Sequence, residues 1–379
     1  MTERLKQLLD GEALGLDVPP PATDAVLHQG RGLRRRNRLT VAGGAVAAAI
    51  IVGGSAVAFT GGGGGGGGDA ADPAGPSAPA VGDDAVFSFG NHVFYDGPGN
   101  VAVIDDAAVK SLYYTSAGVL VRHGNNPYSD GGGPQRFSLV TPDGDVRRLG
   151  LVTEETVHAT DSAQPYVAYG EAVDGELQVV VYDVEADAEA ARVDVAPTSD
   201  GWFPVAIDGS TVYVQNGYDS GVFAVDWEDG TVAESDLDTL WEVGGGRMAT
   251  EGDGGAASII DLATGEDVLT ADGPGYFDLS PDGRYAQLVE EDVFDAEPGG
   301  GVTVYDVETG DSVSLEGDAF GWGWTADGDL FRVGKDTVTT CDPATGECTD
   351  APYDQPARSE AGGGPEAPYL KLGGMTYES

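Results

Sequence analysis

Residues 279–289 read LSPDGRYAQLV, a turn signal between two apolar runs. Forty-five positions on, WTADGDLFRV carries the same device, with Thr325, Ala326, Asp327 and Gly328 standing for Ser280, Pro281, Asp282 and Gly283. A second series interleaves with the first: DLATGE (261–266), DVETGD (306–311) and DPATGE (342–347) each follow a short apolar run. In each, an Asp able to cap the turn through its own carboxylate precedes a Gly where φ is expected to be positive, and a new strand then returns. Looser versions stand in FSLVTPDGDVRRL (137–149), VVVYDVEADAEAARV (179–193) and VFAVDWEDGTVAES (222–235). Thr141, Asp183, Asp226, Asp261, Asp306 and Asp342 thereby recur at intervals of 35 to 45 residues.

A period of that length, holding four short strands and no convincing helix, is what one blade of a β-propeller requires. The expected fold class is therefore all-β. The SPDG turn joins the first strand of a blade to the second, and the Asp-x-x-Thr-Gly turn joins the third to the fourth. GYFDLSP, RYAQLVE, VTVYDV and DSVSLE make one complete blade, and six such units run from about Ser111 to Pro352. Upstream, AVFSFG, HVFYDG and NVAVID (85–105) supply most of another, to which YLKLGGMTYES (369–379) returns a closing strand. Seven blades are expected, with six as the alternative.

The SPDG-R-Y hairpin followed by an apolar strand and V-x-V-Y-D-x-x-T-G resembles the repeat of the TolB-like and WD40-like bacterial propeller families. The resemblance covers about residues 85–352, with two strong units (275–316 and 320–351) and four degenerate ones. It departs from the eukaryotic WD40 pattern, because no Gly-His or Trp-Asp dipeptide recurs. What it implies is a binding face for peptides, proteins or glycans, and no chemistry by itself.

Ahead of the repeats the chain changes character. Residues 39–60, LTVAGGAVAAAIIVGGSAVAFT, carry no charge and would span roughly 33 Å as a helix. RGLRRRNR (31–38) stands immediately before them, which argues for a cytoplasmic N-terminus, a single-pass membrane helix and an extracellular remainder. The rival is a cleaved signal peptide ending in the A-x-A pattern of Ala56, Val57 and Ala58. Thirty-eight preceding residues make a long n-region, so an uncleaved anchor is the reading adopted. The octaglycine run and Pro/Ala stretch of 61–84 read as a flexible linker. The expected organisation is a short tail (1–38), a transmembrane helix (39–60), the linker (61–84) and a monomeric propeller domain (85–379).

Charge divides along the same line. Residues 1–38 hold seven Lys/Arg against five acids, leaving twelve against 59 for the rest of a chain whose net charge is −45. A body so anionic repels phosphate backbones, which excludes nucleic acid as a partner. Cys341 and Cys348 bracket the DPATGE turn and are the only cysteines, so a disulfide across that hairpin is expected, with a metal-binding thiol pair as the rival. His28, His92, His123 and His158 are scattered and fall at no zinc-ligand spacing. No Gly-x-Ser-x-Gly nucleophile turn occurs, and no cofactor motif is found.

Two loops joining second strands to third are long, HGNNPYSDGGGPQ (123–135) and EEDVFDAEPGGG (290–301), and in a propeller they decorate one face. The second gathers Glu290, Glu291, Asp292, Asp295 and Glu297, a candidate set of hard oxygen ligands for Ca²⁺. Tyr128, Asp130, Trp202, Trp241, Tyr276 and Trp322 are the candidate ligand-binding residues of that face, while most aromatics at the starts of first strands should pack between blades. The function expected is that of a non-enzymatic cell-surface binding or scaffold protein whose partner is an extracellular protein, peptide or cell-wall glycan. A propeller-type lactonase or glycan-cleaving enzyme is the alternative, and the sensor half of a transmembrane regulator is a third reading.

Overall fold

The computed structural model describes residues 84–128, 131–198, 201–217, 221–237, 239–251, 255–290, 301–356 and 369–374. The segments expected as tail and membrane span, and nearly all of the expected linker, lie outside them, as do Asp130 and, of the acidic set, Glu291, Asp292, Asp295 and Glu297. Among the described residues no helix is long and apolar enough to cross a membrane.

The turns form as their residues dictate. Asp261 Oδ1 accepts the backbone N–H of Ala263 (3.0 Å) and of Thr264 (2.8 Å), and Gly265 closes the turn at φ 70°. Asp306 repeats this with Glu308 and Thr309, and Gly310 sits at φ 73°. At Asp183 the left-handed position is filled by Asp187 (φ 54°), one of the few side chains that tolerate it. In the other turn series Ser280 Oγ donates to Asp282 Oδ1 (2.7 Å) and accepts from Tyr285 N–H (2.9 Å). Gly283 there has φ 67°, and a Cβ on it would lie 2.0 Å from the carbonyl oxygen of Gly244 in the neighbouring unit. Conformation and space thus both demand glycine.

Between these turns the strands make up-and-down antiparallel meanders. Ala108–Thr115, Gly118–Gly124, Gln135–Val140 and Val146–Thr153 form one four-stranded sheet in chain order. Residues 158–197, 205–234 and 322–352 form three more. A seven-stranded sheet over 243–316 consists of two such meanders sharing the strand Asp267–Leu279. Its beginning pairs with Ala256–Asp261 and its end with Tyr285–Glu290. Gly273, at φ 99°, lies where that strand passes from one meander to the next. The remaining sheet draws on both ends of the domain: Leu370–Leu372 pairs with Phe87–Phe89, followed by His92–Phe94 and Val101–Val103.

The core lies between successive sheets. Leu120 and Phe137 pack with Val167 and Val180 of the next sheet, and Val179 and Val181 pack with Phe203 and Val212 of the one after. Val222 and Leu240 meet Val243 and Met248, and Val289 and Val304 meet Trp324 and Leu330. Phe87 and Phe94, stacked at 4.6 Å, pack with Phe331 and Val338, so the last complete sheet is joined to the first. Tyr353 meets both rings edge-on at about 5 Å, a geometry that suits the aromatic quadrupoles. Four-stranded meanders packed face to face in sequence, with last against first, make a β-propeller.

Cys341 and Cys348 face each other across the hairpin and are joined by a disulfide, as the sequence led one to expect. The loop it closes is short, so chain entropy limits its contribution to about 2–3 kcal/mol. The Cys341→Ser, Cys348→Ser double variant should fold to the same circular dichroism spectrum with a lower urea midpoint and an unchanged m-value. Loss of cooperative unfolding would show that the bridge holds more than its own hairpin.

Candidate functional site

The connections from second to third strands and from fourth to first strands emerge at one end of the sheets. At that end the first strands of consecutive sheets wall a cavity of about 550 Å³. Lys110–Tyr113 come from one sheet, Leu370–Gly373 from the sheet that unites the chain ends, Trp322–Trp324 from the next, and Tyr276–Asp278 from the one beyond. Trp241 and Glu242, just before the strand Val243–Gly244, complete the wall. Strand alternation explains which side chains arrive there: Phe277 and Leu279 are buried in the core between sheets, leaving Tyr276 and Asp278 to face the other way.

The mouth is aromatic and apolar. Phe320 is 50% exposed, Leu370 39% and Trp241 37%, all three lining the cavity. Beside Leu370, Tyr369 packs against Tyr128 with ring centroids 5.6 Å apart. Exposed large apolar side chains gathered around one cavity are the ordinary mark of a binding site rather than of a folding requirement.

Deeper in, the charges are held by the protein itself. Lys110 Nζ donates to Asn126 Oδ1 (2.6 Å) and to the carbonyl oxygens of Tyr128 and Gly131. Arg122 is fully buried behind this wall and donates to Ser111 Oγ (3.1 Å). Burial, helped by repulsion from Arg122, draws Lys371 below the usual lysine range. Across the cavity Glu242 Oε2 accepts Leu279 N–H (2.7 Å), and the Asp278 carboxyl hydrogen-bonds to Glu242. Burial pushes Asp278 up to about 6, against the opposing pull of Glu242 and of the Trp324 indole. Trp324 Nε1 stands near that carboxyl but makes no hydrogen bond of normal geometry with it. Burial thus keeps the Asp278 carboxyl protonated to higher pH than an exposed carboxylate, although its contact with Glu242 works the other way.

Of the residues expected on this face, the structure brings Trp241, Tyr276 and Trp322 to one cavity and sets Tyr128 close by. Trp202 instead packs against the core cluster containing Phe203 and Val205. Glu290 is exposed at the end of its strand, and among the described residues no group of acidic, His or Cys side chains is arranged to hold a metal. Asp278, Glu242, Gln287 and Lys371 were not singled out by the sequence. Period-two alternation around Phe277 was the available signal for Asp278, whereas Lys371 reaches the cavity only through the pairing of the chain ends.

Elsewhere, Asp106, His123 and Ser138 stand in the order of a hydrolase triad: His123 Nδ1 lies 2.7 Å from Asp106 Oδ2, and Nε2 lies 2.9 Å from Ser138 Oγ. His123 is wholly buried, Ser138 is nearly so, and Arg136 grips Asp106 through two hydrogen bonds. Although burial raises the Asp106 carboxyl, the hydrogen bonds from Arg136 and His123 hold it at about 2. Such a network ties strands together and offers no serine to a substrate.

No family model matches the chain, and no curated protein matches it. Solved structures similar to it include apo AztD from Citrobacter koseri, at 12% identity and TM-score 0.47 over 76% of this chain and 97% of that one. A putative 6-phosphogluconolactonase from Bacteroides uniformis shares 13% identity at TM-score 0.44 over 76% and 99%. Hydrazine synthase of Kuenenia stuttgartiensis shares 15% at TM-score 0.40 over 63% and 78%. Likenesses at this level speak of neither ligand nor chemistry.

The raised carboxyl has a consequence for stability. A carboxyl raised from 3.8 unfolded to about 6 folded binds more protons in the native state between those values, so stability falls as pH rises through that window. Asp278→Asn removes the penalty. Its melting temperature relative to wild type should be a few degrees higher at pH 7.5 than at pH 4. Parallel melting curves across that range would contradict the assignment.

Proposed function

We propose that the chain is a membrane-tethered extracellular binding module whose ligand enters the aromatic-mouthed cavity. In this reading residues 39–60 anchor it, residues 1–38 remain in the cytoplasm, the Gly/Pro/Ala stretch gives reach, and a monomeric propeller of seven blades stands outside. The blade number is supported by counting each half of the seven-stranded sheet as one blade and the sheet of the two chain ends as another. Anchor and orientation are supported by the uncharged span and the arginines before it.

The observation that carries the binding function is the gathering of Trp241, Phe320 and Leu370, each more than a third exposed, around one concave site. Binding rather than catalysis is favoured because the one carboxyl pair in the cavity is in hydrogen-bonding contact. Glycosidic cleavage needs two carboxyl groups roughly 5 Å or more apart, with sugar or water between them.

The full chain should retain its partner from a cell-envelope extract, and the Trp241→Ala, Phe320→Ala double variant should retain less than a tenth as much at an unchanged melting temperature. Both positions are exposed, so the fold should tolerate the change. Undiminished capture would place the binding surface elsewhere, and turnover of lactones or envelope glycans would replace this reading with an enzymatic one.

A further inference from the structure

Resting on that reading of the cavity, we infer that its ligand is a neutral oligosaccharide, one pyranose ring of which enters between the aromatic side chains and hydrogen-bonds to Gln287. The first observation is an unpaired acceptor. Gln287 lines the cavity, is 1% exposed and donates through Nε2 to Ala319 O (2.6 Å), which fixes the orientation of its amide. Its Oε1 has no partner in the protein. Trp324 Nε1 in the same cavity is a donor without a well-formed hydrogen bond. Leaving such groups buried and unmade is costly, and a ligand that satisfies them gains accordingly. A sugar hydroxyl is both donor and acceptor, so a hydroxyl-bearing ring can serve the acceptor and the donor together. A purely apolar ligand can serve neither.

The second observation is charge. A cavity that selected an ion would offer a free counter-charge. Lys110 spends its ammonium on three oxygens of its own loop, and the carboxyl groups of Asp278 and Glu242 engage each other. Arg122 does not line the cavity. Lys371 lines the cavity beside Lys110, and burial together with the nearby Arg122 disfavours its charged form. At net charge −45 the chain also disfavours acidic glycans. The third observation is shape and surface. Trp241 and Phe320 present flat, partly exposed faces at the mouth, on which the C–H faces of a sugar ring can lie. A volume of about 550 Å³ falls within the usual range for small-ligand sites.

The test is an array of neutral oligosaccharides, acidic oligosaccharides and unmodified peptides, read with the full chain, and followed by titration with tryptophan fluorescence as the signal. At least one neutral oligosaccharide should bind saturably and shift the emission, with affinity lowered tenfold or more by Trp241→Ala. Gln287→Leu should lower it comparably, and its melting temperature reports separately on its fold. Should Gln287→Leu fail to fold, competition among deoxy analogues of the bound sugar reads the same hydrogen bond: one analogue must lose tenfold. Saturable binding of peptides or acidic glycans alone, abolished by Trp241→Ala, would overturn the neutral-sugar assignment while leaving the binding cavity intact. Binding to nothing on the array, with envelope capture insensitive to Trp241→Ala, would overturn both.

Discussion

Closure of the ring is the constraint on which the rest depends. A propeller whose first and last sheets did not meet would expose the apolar faces on both sides of the gap, and here those faces carry Phe87, Phe94, Phe331 and Val338. The chain closes the gap with three residues near its end. Leu370–Leu372 adds the missing first strand to a sheet otherwise made from residues 87–103, and Gly373 donates to Val86 O and accepts from Trp324 N–H. Tyr114 Oη donates to Trp324 O, linking a further sheet to this seam. Closure therefore rests on backbone pairing and on aromatic packing, with the disulfide Cys341–Cys348 pinning a hairpin of the adjoining sheet.

The same seam supplies part of the candidate binding site. Leu370, Lys371, Leu372 and Gly373 line the cavity, so the wall that faces a ligand is built from the strand that closes the fold. A ligand seated there would contact the closing strand together with residues of the sheets on either side of it, and so would favour the closed form. By mass action it stabilises closure. This coupling follows from topology and needs no moving part.

Much of the fold could be read in the sequence because the turns are chemically explicit. Asp261, Asp306 and Asp342 each cap a turn that a positive-φ glycine completes, and the spacing of those turns gives the period of the sheets. The passage from one meander to the next within Asp267–Leu279 carries no such signal, because the chain changes partners without leaving the strand. The site was legible only in part. Aromatics announce themselves by type, and Trp241, Tyr276 and Trp322 do meet at one cavity. Trp202 looked the same in sequence and is half-buried against the core beside Phe203, away from that cavity. The carboxyl pair of Asp278 and Glu242 could not be singled out among 64 acids, since its distinction is contact between two meanders of one sheet and not composition. The acidic set beginning at Glu290 was conspicuous for the opposite reason, being contiguous in sequence, and all but its first residue lies outside the described residues.

Hydrogen exchange over residues 369–374 in the full chain tests the account at its centre, because fold closure and binding cavity both require that strand. Protection there comparable with that of residues 87–94 is the expected result. Exchange at the rate of an unstructured peptide, with the remaining sheets still protected, would mean that the ring is open and the cavity lacks a wall, and the account would fail.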